Sequence, residues 1–131
     1  MILLDTHIWI WWVHADDRLP QRHAKFIEAN LVNGLGVSVI SCWEAAKLVE
    51  RGRVELPRPI GLWIKEALGY PGVRLIDLTP EIAVEATQLP QPFHRDPADQ
   101  LLVATARLQG AELLTLDGLI LSYPHVPLVK L

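Results

Sequence analysis

Four acidic side chains stand at or just beyond the ends of apolar runs. Asp5 closes Ile2–Leu4, Glu44 lies just past Gly36–Ser41, Asp99 falls in the first turn of the helix that leads into Leu113–Leu116, and Asp117 follows that run. Each has an ordinary structural role open to it. Asp5 can cap the turn into the next helix, and Ser41-Cys42-Trp43-Glu44 fits a capping box in which Glu reaches back to the helix start. Asp96 and Asp99 flank Pro97-Ala98, so Asp96 is the natural N-cap and Asp99 gains from the helix dipole. Asp117-Gly118 is a common turn pair. What sets the four apart is that they fall on one expected edge of a sheet, where gathered carboxylates repel one another and call for a cation. Oxygen ligands from Asp and Glu suit the hard ions Mg²⁺ and Mn²⁺, whereas one cysteine and scattered histidines give no zinc spacing. Such an ion acidifies water and neutralises charge on phosphate oxygens.

The elements that must position these acids follow from apolar patterning. Ile2–Leu4, Gly36–Ser41, Val73–Ile76, Leu113–Leu116 and Val126–Val129 read as five buried strands. Helical stretches are expected over Gln21–Val32, Cys42–Arg51, Ile60–Leu68, Pro80–Leu89 and Pro97–Gln109. Thr79-Pro80 and Asp96-Pro97 each place a capping residue before a proline at the first helical position, and Gly110 stands where a helix-ending glycine belongs. Alternating strands and helices imply an α/β fold with a mainly parallel sheet and helices on both faces. Ligands of such sheets bind beyond the carboxyl ends of the strands, near a switch in strand order, which is where the acids are expected.

A chain of 131 residues, half of them hydrophobic, buries one core and implies a single domain over 1–131. The formal charge of −3 argues against a protein that holds nucleic acid by a broad basic surface, although bound divalent ions would return positive charge to an acidic site. The opening Met1-Ile2-Leu3-Leu4-Asp5 has no uncharged run long enough for a signal-peptide core or a membrane span, so a cytoplasmic protein without membrane association is expected. Cys42 has no partner for an internal disulfide and reads as a small buried hydrophobe.

Taken together, the segments MILLDTHIWIW, VSVISCWEAAKLVERGRV and HRDPADQLLVATARLQGAELLTLD, with the closing Tyr123–Lys130, resemble the PIN-domain family, and within it the VapC-type toxins of bacterial toxin-antitoxin pairs. The resemblance spans essentially the whole chain. It implies a metal-dependent endoribonuclease that hydrolyses RNA phosphodiesters with Mg²⁺ or Mn²⁺. It also implies an antitoxin protein as partner and a homodimer as the assembly. Asp5, Glu44, Asp99 and Asp117 match the family's four acids, with Asp5, Asp99 and Asp117 as the metal ligands and Glu44 binding metal or orienting the nucleophile. Asp96 matches an additional acid of the HRDPxD subgroup, which caps the helix or holds metal-bound water. Thr115 matches the small hydroxyl residue that often precedes the fourth acid by two positions and Thr6 follows the first acid, so both are candidates to hydrogen-bond the acids, and Arg95 is a candidate to touch substrate phosphate.

Trp9, Trp11 and Trp12 crowd one helical turn and cannot all face the core. Trp9 and Trp12 are expected inside, with Trp11 half exposed; the alternative is a surface for self-association or for an antitoxin. His7 is not needed as a general base when an ion acidifies water, and His94 is at most a substrate-side group. A response-regulator receiver would need adjacent acids after the first strand, and a haloacid-dehalogenase-like phosphatase would need a second Asp at position 7, which is His. A non-catalytic PIN-like scaffold that binds RNA or protein is the remaining alternative, and the intact acid set argues against it.

Overall fold

A computed structural model describes all residues, Met1–Leu131. Its centre is a four-stranded, wholly parallel sheet formed by β1 (Ile2–Leu4), β2 (Leu35–Ser38), β3 (Val73–Ile76) and β4 (Glu112–Leu114), in the order β3-β2-β1-β4. Alternation along β1 explains the layering: Ile2 and Leu4 enter one core and Leu3 the other, and Leu114 and Leu113 divide in the same way on β4. One core is closed by α1 (Thr6–Val13), α2 (Gln21–Asn30), α3 (Val39–Glu50) and α4 (Ile60–Leu68), through Ile8, Trp9, Ile27, Ala45, Trp63 and Ala67. The other is closed by α5 (Pro80–Thr87), α6 (Pro97–Gln109) and the short α7 (Gly118–Leu121), through Ile82, Leu102, Val103 and Ile120. Helices therefore cover both faces, as expected.

The sheet has four strands where the sequence suggested five. Val126–Val129 makes a single parallel bridge, Leu113 to Leu128. Pro127 lends its carbonyl to Leu113 N–H at 2.9 Å but has no N–H of its own to extend a ladder. The second strand and its helix also shift. β2 ends at Ser38, whose hydroxyl caps α3 by accepting from Ile40 N–H at 3.1 Å, so Ser41 and Glu44 lie inside the helix and form no capping box. The β-branched pair Val39-Ile40 favours strand locally, and tertiary packing of α3 against α1 and α6 overrides it. Ile60–Leu68 and Pro97–Gln109 form over the expected residues, and Gly110 ends α6 in the left-handed region at φ 61°. No helix is long and apolar enough to cross a membrane.

Candidate active site

Because β1 pairs with β2 on one side and β4 on the other, the order of the chain reverses between β1 and β4. Asp5 leaves the carboxyl end of β1 and Asp117 follows β4 on the same edge. Asp5 caps α1, its Oδ1 accepting from Thr6 N–H at 2.7 Å. Asp117 caps α7, its Oδ1 accepting from the N–H groups of Leu119 and Ile120 at 2.8 and 3.2 Å. Thr115 ties the two acids together: its hydroxyl donates to Asp5 Oδ2 at 2.6 Å and accepts from Asp117 N–H at 3.0 Å.

Glu44 arrives from α3. Thr6 Oγ1 lies 2.5 Å from Glu44 Oε1 and 2.9 Å from Ser41 Oγ. A hydroxyl has one proton, so Thr6 gives it to the carboxylate and accepts from Ser41. Thr6 and Thr115 thus orient Glu44 and Asp5 respectively. Asp96 caps α6, its Oδ1 accepting from Asp99 N–H at 3.0 Å, which fixes the first turn carrying Asp99. Arg95 is exposed beside it.

The charges of these acids are felt mutually. Burial first, then the carboxylates of Asp5, Asp96, Asp117 and Glu44, push the Asp99 carboxyl up to about 8. Burial pushes Glu44 up to about 6 against the hydrogen bond from Thr6, with Asp5, Asp96 and Asp117 adding to the rise. Asp5 is also raised, by burial above all, although Thr115 and the Thr6 N–H stabilise its charged form. No lysine or arginine offsets this concentration, since the ion pairs Arg18–Asp16, Lys47–Glu50, Arg58–Glu66 and Arg107–Glu85 all lie elsewhere.

This donor set fits a hard divalent ion: oxygen ligands only, partly buried, repelling one another and paired with no lysine or arginine. No three His, Cys, Asp or Glu side chains already stand as a cage for an ion, so ligation requires carboxylates to turn toward one another. Asp5, Asp99 and Asp117 would be the holders. Cys42 takes no part; it is half-buried, and burial pushes its thiol up.

Sequence reasoning placed His94 at most on the substrate side and missed its contact with an acid. His94 Nε2 stands 3.1 Å from Asp99 Oδ2 across the bend before α6. Its only advance signal is its place in His94-Arg95-Asp96-Pro97-Ala98-Asp99. The tryptophans divide nearly as expected: Trp9 is fully buried and Trp11 half-buried, but Trp12 is only partly covered. Trp11 lines a cleft with Asp5, His7, Ile8, Leu116 and Asp117, so it borders the acids.

The PIN domain family model matches residues 2–124. Ribonuclease VapC22 of Mycobacterium tuberculosis (strain ATCC 25618 / H37Rv) is 36% identical over 124 residues, covering 95% of this chain and 92% of that protein. Among solved structures, VapBC2 from Rickettsia felis, bound to a DNA fragment from their promoter, is similar with a TM-score of 0.74 and 18% identity over 98% of both chains. A toxin-antitoxin complex from Klebsiella pneumoniae gives 0.67 and 20%, over 99% of this chain and 97% of that one. FitAcB from Neisseria gonorrhoeae gives 0.61 and 20%, over 91% and 89%. At these identities the solved structures speak for the fold.

Proposed function

The chain belongs to the PIN-domain family, and on that premise we propose that it is an Mg²⁺- or Mn²⁺-dependent endoribonuclease and the toxin of a toxin-antitoxin pair. The observation that carries this reading is the gathering of Asp5, Glu44, Asp99 and Asp117 at the carboxyl edge of the sheet, where burial and mutual repulsion raise the Asp99 carboxyl, in a chain 36% identical to a ribonuclease. A partly buried group of acids paired with no lysine or arginine is a poor structural device and a good cation holder.

A bound divalent ion supplies Lewis acidity, acidifying water and neutralising charge on the phosphate and the leaving oxygen. Asp5, Asp99 and Asp117 would hold it. Thr115 and the Thr6 N–H hold the two oxygens of Asp5, so the turning that ligation requires falls mainly to the other acids. Glu44, held by Thr6, either joins the ligand set or orients the attacking water through its free oxygen. Arg95, exposed beside Asp96, is available to a substrate phosphate.

Two partners follow from the same reading. One is an antitoxin whose apolar side chains fill the groove of about 440 Å³ lined by Trp12, His14, Trp63 and Tyr70, and whose basic residue approaches the acids past Trp11. The other is a second copy of this chain, a homodimer whose mass sedimentation equilibrium would read directly. Purified protein should cleave single-stranded RNA with Mn²⁺ or Mg²⁺, and chelation should stop it. Asp5→Asn should reduce cleavage by more than about 100-fold, beyond the 10–100-fold typical of groups that only support a metal ligand. Full activity in a folded Asp5→Asn variant would overturn the assignment.

A further inference from the structure

His94 has an arrangement that neither packing nor chain geometry requires. Its ring rests against Phe93, centroids 4.5 Å apart, and Phe93 in turn rests against Tyr123 at 4.4 Å. The backbone carbonyl of His94 accepts from Gln100 Nε2 at 3.1 Å, which ties the bend to α6. Asp96 N–H points at His94 Nδ1 from 3.4 Å, a long bond that nevertheless identifies Nδ1 as the acceptor. A neutral imidazole that accepts at Nδ1 carries its proton on Nε2.

That Nε2 is shielded from solvent and makes no aligned hydrogen bond, yet it lies 3.1 Å from Asp99 Oδ2. The distance is that of a hydrogen bond and the alignment is not. A small turn of the Asp99 carboxylate would complete it, and the acids must turn in any case to enclose an ion. No other acceptor is offered to this proton. A buried donor left without a partner is unfavourable, so the carboxylate orientation that satisfies Nε2–H is favoured over its alternatives.

We infer that His94 is a positioning residue for Asp99: its Nε2–H holds Oδ2 so that Oδ1 is presented to the metal. This rests on the reading of Asp99 as a metal ligand. The neutral ring suffices, because the role needs a donor and no charge. Asp96 gains a second function, since its carboxylate caps α6 while its N–H sets the His94 ring.

Two substitutions separate this role from packing. His94→Asn can still accept from Asp96 N–H, but its short side chain cannot reach Asp99. His94→Gln extends an amide N–H to about the place of Nε2 and gives up the Asp96 bond. Mn²⁺ binding to each protein would be measured from the loss of the free-ion signal in electron paramagnetic resonance, with circular dichroism melts establishing that each variant is folded. His94→Asn should weaken Mn²⁺ binding by about 10–100-fold, the usual effect of removing a group that supports a metal ligand, while His94→Gln stays within about threefold of the parent. Parent-like binding in His94→Asn, or equal weakening in both variants, would overturn the inference and leave the metal reading standing. Absence of Mn²⁺ binding in the parent protein would instead remove the metal reading itself.

Discussion

At the scale of single residues, two threonines decide how the acids are presented. Thr115 is buried and serves Asp5 and Asp117 at once. Replacing it with valine keeps the shape and leaves the Asp5 carboxylate without its hydroxyl donor. Thr115→Val should lower stability by about 1.5–3 kcal/mol, the range for a hydrogen bond to a charged group, whereas Thr115→Ser should retain most of it. The shift in the denaturant midpoint reads this directly. An unchanged midpoint in Thr115→Val would mean that the Asp5 charge is held by the α1 N-terminus alone.

The raised carboxyls also fix a pH dependence. Asp99 and Glu44 are held up to about 8 and about 6 in the fold, by burial first and neighbouring acids next, while both titrate near 4 in an unfolded chain. The folded state therefore binds protons more tightly than the unfolded one. The stability this contributes is complete below about pH 4 and is lost as pH rises through about 6 and then about 8. Asp16, held down to about 2 by Arg18, acts with the opposite sign but in a window that closes below pH 4. Without divalent ions the melting temperature should fall between pH 5 and pH 8.5, and Mn²⁺ should restore more of it at pH 8.5 than at pH 5. Asp99→Asn should flatten both trends; a parent-like slope in that variant would contradict the assigned source of the effect.

At the scale of elements, caps explain why the site is rigid where it must be. Asp5, Asp96 and Asp117 each begin a helix, so three acids take their backbone position from a helix terminus. Asp96→Asn should be nearly silent for stability because Asn caps about as well, and Asp96→Ala should cost about 1 kcal/mol by thermal or chemical unfolding. Loss of cleavage in a well-folded Asp96→Asn variant would place its carboxylate in the metal site.

The same elements show what a sequence reveals and what it hides. Pro97 and Gly110 bracket α6 because backbone chemistry marks both ends, and that helix is readable without any tertiary information. α3 is not. Val-Ser-Val-Ile-Ser-Cys-Trp-Glu holds two serines three residues apart, and the local pattern favours Ser41 with Glu44 while the folded chain uses Ser38. Glu44 is expected at the site all the same, through the shared sheet edge and the family resemblance, neither of which depends on where the helix begins. The His94 contact was hidden for another reason. It joins positions five apart across the bend that precedes Pro97, a relation that neither the helical nor the strand period describes. The groove of Trp12, His14, Trp63 and Tyr70 was equally invisible, since it joins the end of α1 to residues about fifty positions later.

At the scale of the whole molecule, net charge −3 gives the chain little overall attraction for RNA, so on the proposed reading a bound ion would supply much of the attraction for phosphate. That also gives a protein inhibitor a simple route. An arginine or lysine brought to the acids can take the place of the cation, provided an apolar anchor holds it there. Trp11 is suited to that anchor: half-buried, it shares a cleft with Asp5 and Asp117 and stacks under the Arg18 guanidinium at 5.3 Å. Growth should stop when this chain is expressed alone and resume when its antitoxin is co-expressed, and Asp5→Asn should be harmless in both cases. With purified proteins, raising Mn²⁺ through its binding range should weaken inhibition. Trp11→Ala should weaken antitoxin binding by more than about 1 kcal/mol, the threshold that separates interface anchors from bystanders. Inhibition indifferent to Mn²⁺, together with a neutral Trp11→Ala, would place the antitoxin on the distant Trp12–Trp63 groove alone and end the competition model.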